Sequence, residues 1–276
     1  MSAFSSIWLD LRYPVDLKAR SKELEDQYID HLLAKVPIGS TVHIVDLGAG
    51  NGATLKAMAH RIPRDQLWTL IDNDASLLDD LIDKKRSLPR HGYALHLSPL
   101  QVDLSTCRLT TLFSGHDGIT TSAFLDLVCL AWLGKLAQAI AELKLPFLAS
   151  LTYNGFAECS PQDPLDAEII DAVNRHQQQE KGLGLALGPA AAHETQKAFS
   201  SRGYSVETAE SDWISEAGDQ LFQKELLSGW AVAAKEYGVD AAEVNAWLAR
   251  RQKLIDEGRS KIRVGHTDLL ALPPES

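Results

Sequence analysis

Val45-Asp46-Leu47-Gly48-Ala49-Gly50-Asn51-Gly52 decides the reading of this chain. An apolar, branched stretch (residues 41–47) ends in an acid. Three glycines at alternate positions follow, and then a helical pattern begins over residues 54–61. Glycine lacks Cβ and accepts positive φ, so such a turn bends sharply and lets its backbone lie against a ligand. The helix that follows offers free N–H groups to that ligand.

Outward from this loop, the sequence alternates short apolar strands with helices. Strands are expected at residues 67–71, 93–97, 118–122 and 147–152. Helices are expected around 77–82, capped by Ser76 or Asp74, and along 125–143. Alternation at this spacing predicts an α/β fold, a doubly wound and mostly parallel sheet. Its ligands would sit beyond the carboxyl ends of the strands. Before the loop, residues 1–20 read as an extended arm and 21–36 as a helix. Residues 1–36 thus form an N-terminal helical arm or lid, with residues 37–276 as the main domain. After the fifth strand, residues 155–190 break the rhythm as an insertion holding a helix at 165–179. A helix at 194–202, a strand at 205–209, helices at 219–237 and 241–257, and a strand at 267–272 close the chain. A final antiparallel strand pair, giving seven strands in all, is expected.

The composition sets bounds on function. The chain has 276 residues, 45% of them apolar, enough for one large core. A net charge of −10 argues against nucleic acid as a partner. Lys84, Lys85, Arg86 and Arg90 form the one local basic cluster noted, with a solvated helix end as the simpler reading. Cys107, Cys129 and Cys159 form neither a CxxC pair nor a disulfide framework, and no metal site is expected. His91 and His96 make no convincing metal pair. The N-terminus is too polar for a signal peptide, and the apolar run near Phe124 is interrupted by Asp126, so a cytoplasmic protein without a membrane span is expected.

Gly48-Ala49-Gly50-Asn51-Gly52-Ala53 also fits a dinucleotide fingerprint, and Asp72 stands at the expected ribose distance, about 20 residues on. Asp46 weighs against it, because a carboxylate at the bend opposes a pyrophosphate docked on the helix N-terminus. It tolerates a phosphate-free cation.

The succession Asp46-x-Gly48-x-Gly50-x-Gly52, Leu70-Ile71-Asp72-Asn73-Asp74, Val102-Asp103-Leu104 and Gly118-Ile119-Thr120-Thr121-Ser122-Ala123 resembles the class I S-adenosylmethionine-dependent methyltransferases with a Rossmann-like fold. The resemblance implies S-adenosylmethionine as cofactor. Asp46, Gly48, Ala49, Gly50, Asn51 and Gly52 would hold its methionine part. Asp72 and Asn73 would take the ribose, Asp103 and Leu104 the adenine, and Thr121 and Ser122 would lie beneath the sulfonium. Thr121-Ser122-Ala123-Phe124 replaces the Asn/Asp-Pro-Pro-aromatic run of enzymes acting on base or amide nitrogens, which weighs against such acceptors. Arg12 or Arg20 is a candidate for the cofactor carboxylate through a bidentate fork.

The acceptor is expected to be a small, polar metabolite methylated on O, N or S, by a monomer or homodimer. Tyr153, Asn154, Asn174, His176 and Gln177 are the candidate substrate contacts. His176 is also the base candidate, because it titrates near neutral pH, and Tyr153 the second catalytic candidate. His266 reads as structural. Trp213, Trp230 and Trp247 read as packing residues. An NAD-dependent oxidoreductase and a non-catalytic cofactor-binding protein are the alternatives.

Overall fold

The computed structural model describes residues 5–84 and 92–275. Lys85, Arg86, Arg90 and His91, named above, lie outside the described residues. In chain order the elements are α1 (Ser6–Ala19), α2 (Lys22–Lys35), β1 (Val42–Leu47), α3 (Ala53–Met58), β2 (Gln66–Asp72), α4 (Ala75–Asp83), β3 (Leu95–Gln101), α5 (Leu109–Phe113), β4 (Gly118–Ser122), α6 (Leu130–Leu143), β5 (Phe147–Ser160), α7 (Asp166–Gln177), α8 (Ala191–Ser200), β6 (Ser205–Glu210), β7 (Trp213–Ser215), α9 (Gln220–Glu236), α10 (Ala241–Asp256) and β8 (Lys261–Leu272).

The sheet has eight strands. Seven follow the order β3-β2-β1-β4-β5-β8-β6, and the short β7 pairs with β8 off this path. β1 to β5 run parallel, whereas β8 is antiparallel to both β5 and β6. This is a Rossmann-like sheet closed by an antiparallel strand. β1 is buried along nearly its whole length, as expected of a strand covered by helices on both faces. Asp74 caps α4, accepting from the Ser76 backbone N–H.

Three apolar cores follow. One lies between the sheet and α5, α6 and α8. The second lies under α2 and α3 on the other face, with Tyr28, Trp68 and Met58 fully buried. The third sits beyond the carboxyl edge, where α7, α9 and α10 pack on the outer halves of β5 and β8. No helix among the described residues is long and apolar enough to cross a membrane.

Several boundaries differ from the sequence expectation. Residues 6–19 form α1, not an extended arm. Pro14 lies inside this helix and weakens its local signal; burial of Leu9 and Val15 holds it in place. The strand expected at 147–152 runs on to Ser160, through register shifts against β8 that interrupt any simple alternation. The helix expected from residue 125 begins at Leu130, after a single 3-10 turn at Leu125–Leu127. β3 lies later than expected, at Leu95–Gln101.

Candidate functional site

The glycine loop leaves β1 at its carboxyl end. Gly48, Gly50 and Gly52 have φ of 62°, 50° and 79°, a region that costs other residues about 1–2 kcal/mol. A side chain at Gly48 would meet the Phe124 ring at 2.8 Å. Gly50 lies under Leu9 of α1, 3.4 Å from where its Cβ would be. The loop is held from β2: Asp72 Oδ2 accepts from the Gly50 N–H at 2.8 Å, and Asp72 Oδ1 accepts from the Asp74 N–H at 3.0 Å. Each carboxylate oxygen keeps a lone pair for a further donor. Asn51 donates to Asp10 of α1 at 2.8 Å, and α1 thereby roofs the loop.

Asp46 is placed differently from the sequence expectation. It is buried beneath the loop, 1% exposed, and accepts from Thr120 Oγ1 at 2.9 Å. Burial pushes its carboxyl up to about 6, against the lowering effect of Thr120, Arg20 and Thr54. Asp46 thus stays a carboxylate at neutral pH, buried below the turn beside Thr120. Thr121 likewise turns inward and donates to the Leu47 carbonyl at 2.8 Å.

Arg20, the C-cap of α1, is the cation that reaches this region. It is 4% exposed, donates to Ser122 Oγ at 2.8 Å and to Thr54 Oγ1 at 3.4 Å, and pairs with Glu25 at 3.5 Å. Its Nε is buried without a partner among the described residues. Arg12 lies elsewhere: it pairs with Asp16 at 3.1 Å and stands over the Trp213 ring. Of the two arginines, Arg20 is the one that bonds the loop-side residues Thr54 and Ser122. Asp103 is exposed and accepts from the Ser105 N–H at 2.8 Å; the Ser105 side chain first, and its backbone N–H second, lower the Asp103 carboxyl below the usual value. Asn73 is exposed at the end of β2. Leu104 is buried in the first core, and its carbonyl accepts from the Trp132 indole at 2.8 Å.

The expected substrate residues divide. Tyr153 is buried and donates to Asn174 Oδ1 at 2.7 Å, and Asn174 donates to the Gly155 carbonyl. Burial and the charge of Asp126 raise the Tyr153 phenol well above its ordinary range. Asn154 folds back on its own strand, accepting from the Phe156 N–H. Gln177, the last residue of α7, packs at Gly188. His176 is not brought to Tyr153. It stands two residues beyond Asn174, on nearly the opposite side of the helix. There it meets Glu236 of α9 at 2.9 Å and Lys181 at 3.5 Å.

A second polar group, absent from the sequence expectation, lies under α1 at the carboxyl edge. Asp16, Asp126 and His266 are 1%, 8% and 3% exposed. Burial raises the Asp126 carboxyl to about 6 and lowers the His266 imidazole to about 4. Trp213 is packed against His266, ring centroids 4.4 Å apart, and Trp8 of α1 stacks on Phe222. One signal was available in the sequence: Asp126 interrupts an apolar run. Ala123, three residues earlier, holds a φ of 49°, a strained turn of the kind that gathers at functional sites.

No family model and no curated protein matches the chain. Solved structures do resemble it at 10–17% identity. Among them is the YcgJ protein of Bacillus subtilis, 12% identical with a TM-score of 0.47, over 91% of this chain and 100% of that one. A second is an S-adenosylmethionine-dependent methyltransferase of Thiobacillus denitrificans in complex with S-adenosyl-L-homocysteine. It is 15% identical with a TM-score of 0.47, over 98% and 99% of the two chains. A third is geranyl diphosphate C-methyltransferase of Streptomyces coelicolor A3(2), at 13% identity and a TM-score of 0.43, over 90% and 76%. The fold assignment rests on this chain's own strand order.

Proposed function

We propose that the protein is an S-adenosylmethionine-dependent methyltransferase acting on O, N or S of a small, polar metabolite. One observation carries this reading: antiparallel β8 is inserted between β5 and β6 in a sheet that bears a glycine loop tied to Asp72. A dinucleotide-binding sheet of the usual kind runs 3-2-1-4-5-6 without that strand. The acidic balance of the chain supports a small acceptor over nucleic acid. A cytosolic monomer or homodimer remains the proposed setting.

The residues fit the cofactor. Arg20, with a buried guanidinium nitrogen lacking a partner, suits its carboxylate. Asp72 suits the ribose hydroxyls, Asp103 the adenine amino group, and Ser122 the space at the end of β4. When bound, the cofactor supplies an electrophilic methyl group on a positively charged sulfur. The chain's own part is positioning and exclusion of water. The glycines bring backbone close, Leu9 and Phe124 cover the loop, and the side chains under α1 hold an acceptor for in-line attack.

Calorimetric titration tests the reading. S-adenosylhomocysteine is expected to bind and NADH is not. Tight NADH binding with no response to the adenosyl thioether overturns the assignment in favour of an oxidoreductase.

A further inference from the structure

Asp126 sits in the 3-10 turn that follows β4, four residues beyond Ser122. Its Oδ1 is buried and has no hydrogen-bond partner among the described residues. Three charged or titratable neighbours act on it: Arg12 from α1, Lys181 from the segment after α7, and Tyr153 from β5. Arg12 is salt-bridged to Asp16 at 3.1 Å. Lys181 lies against His176, and the charges of Glu236 and of Asp126 itself both act on it.

His266, from β8, pairs in register with Tyr153 and feels the charge of Arg12. Its Nδ1 is 3.0 Å from the Val264 carbonyl. A carbonyl only accepts, so Nδ1 carries the proton. The buried ring stays neutral, which leaves Nε2 as a lone-pair acceptor. Trp213 from β7 and Tyr153 from β5 place aromatic rings at 4.4 Å and 5.9 Å from the His266 ring. The region thus holds a carboxylate whose charge reaches Tyr153 and an imidazole lone pair flanked by two aromatic rings. A guest rich in donors complements it, and a guest bearing its own carboxylate does not.

We propose that the Asp126–His266–Tyr153–Trp213 cluster is the acceptor site, and that the acceptor is a compact amine methylated on nitrogen. This rests on the transferase reading above. The neutral amine's lone pair forms the nitrogen–carbon bond as the carbon–sulfur bond breaks, its electron pair staying on sulfur. The positive charge moves from sulfur to nitrogen; an amine that arrives as its ammonium first gives one proton to solvent, and the neutral form is the one that reacts. Asp126 lies where that charge develops and stabilises it, and the Trp213 ring face favours the resulting ammonium. Asp126 acts through its charge, not as a base.

The test uses the full chain loaded with S-adenosylhomocysteine, at mildly alkaline pH where Asp126 is ionised. Three matched pairs are compared by calorimetry and thermal shift: benzylamine with benzoate, phenethylamine with phenylacetate, and histamine with imidazole acetate. The amines are expected to bind and the acids to fail. Asp126→Asn is expected to weaken amine binding by roughly tenfold or more, while S-adenosylhomocysteine affinity is kept. Acids binding as well as amines, no amine binding, or an Asp126→Asn protein that holds amines like the wild type each overturns the proposal. Should Asp126→Asn fail to fold, Asp126→Glu, which keeps the charge, and the wild-type pairs decide. Failure of the wild type to bind S-adenosylhomocysteine instead sinks the transferase reading, and amine selectivity is then read on the unloaded chain.

Discussion

Asp46 and Asp126 are both buried carboxylates raised by burial to about 6, yet their surroundings differ. Asp46 stands in the parallel sheet with Thr120, Thr54 and Arg20 around it, under a loop whose backbone is tied to Asp72. Asp126 stands in a region assembled from α1, β5, β7 and β8, with one oxygen unpartnered, Arg12 salt-bridged to Asp16 and Lys181 beside His176. Asp46 Oδ2 and Arg20 Nε also lack a partner among the described residues, but the remaining polar groups of the first arrangement are tied to one another across the sheet, which holds its shape. The second leaves acceptors open, at an energetic cost that a ligand can offset.

The largest expected effect comes from breaking the side that holds Arg20. Arg20→Leu leaves Glu25 with Arg61 alone and strips Ser122 and Thr54 of their donor. A stability loss of about 3 kcal/mol is expected in urea unfolding, together with loss of S-adenosylhomocysteine binding. A variant that unfolds like the wild type would show that Arg20 is not the keystone of this half.

The open side is sharpened by pH. His266 titrates near 4 when folded, against an ordinary value of 6.5. The folded state therefore binds fewer protons than the unfolded state between those values, so this group's contribution is intact above pH 6.5 and is lost as pH falls toward 4. Asp46 and Asp126 act oppositely, since their raised values favour the folded state as they protonate. The His266 part is isolated by comparing His266→Gln with wild type across that window. The stability gap should shift by up to about 3 kcal/mol in favour of the variant on acidification. A pH-independent gap would place His266 in contact with solvent.

The smallest effect is expected at the roof that joins the two regions. Asp10 is half-exposed and holds Asn51 and Lys84 to α1. Asp10→Ala should cost no more than about 1 kcal/mol of stability. Stopped-flow release of S-adenosylhomocysteine should still quicken a few-fold, because α1 is less firmly seated. An unchanged release rate would mean that α1 does not gate the loop.

Legibility in the sequence followed the same division. The glycine loop, β1, β2 and β4 were readable because their signals are local: branched apolar runs, glycines where φ must be positive, and Asp72 at a strand end. The roles of Arg12 and Arg20 were not separable, since which arginine reaches the loop depends on how α1 lies. Its helicity was hidden by Pro14 and is secured by Leu9, Val15 and Trp8 packing on other elements. The extension of β5 was hidden by its register shifts against β8. His176 was singled out for its residue type, but helix phase turned it to Glu236.

The sequence by itself determined the alternating α/β plan and the turn that suits a nucleoside cofactor, because strand periodicity and glycine conformation are properties of neighbouring residues. Only the tertiary structure decided that β8 enters antiparallel beside β5, that Arg20 bonds Thr54 and Ser122, and that Tyr153 pairs with His266 within reach of the Asp126 charge. Those facts join residues far apart in the chain, and burial, which sets their charge, exists only once the cores have closed.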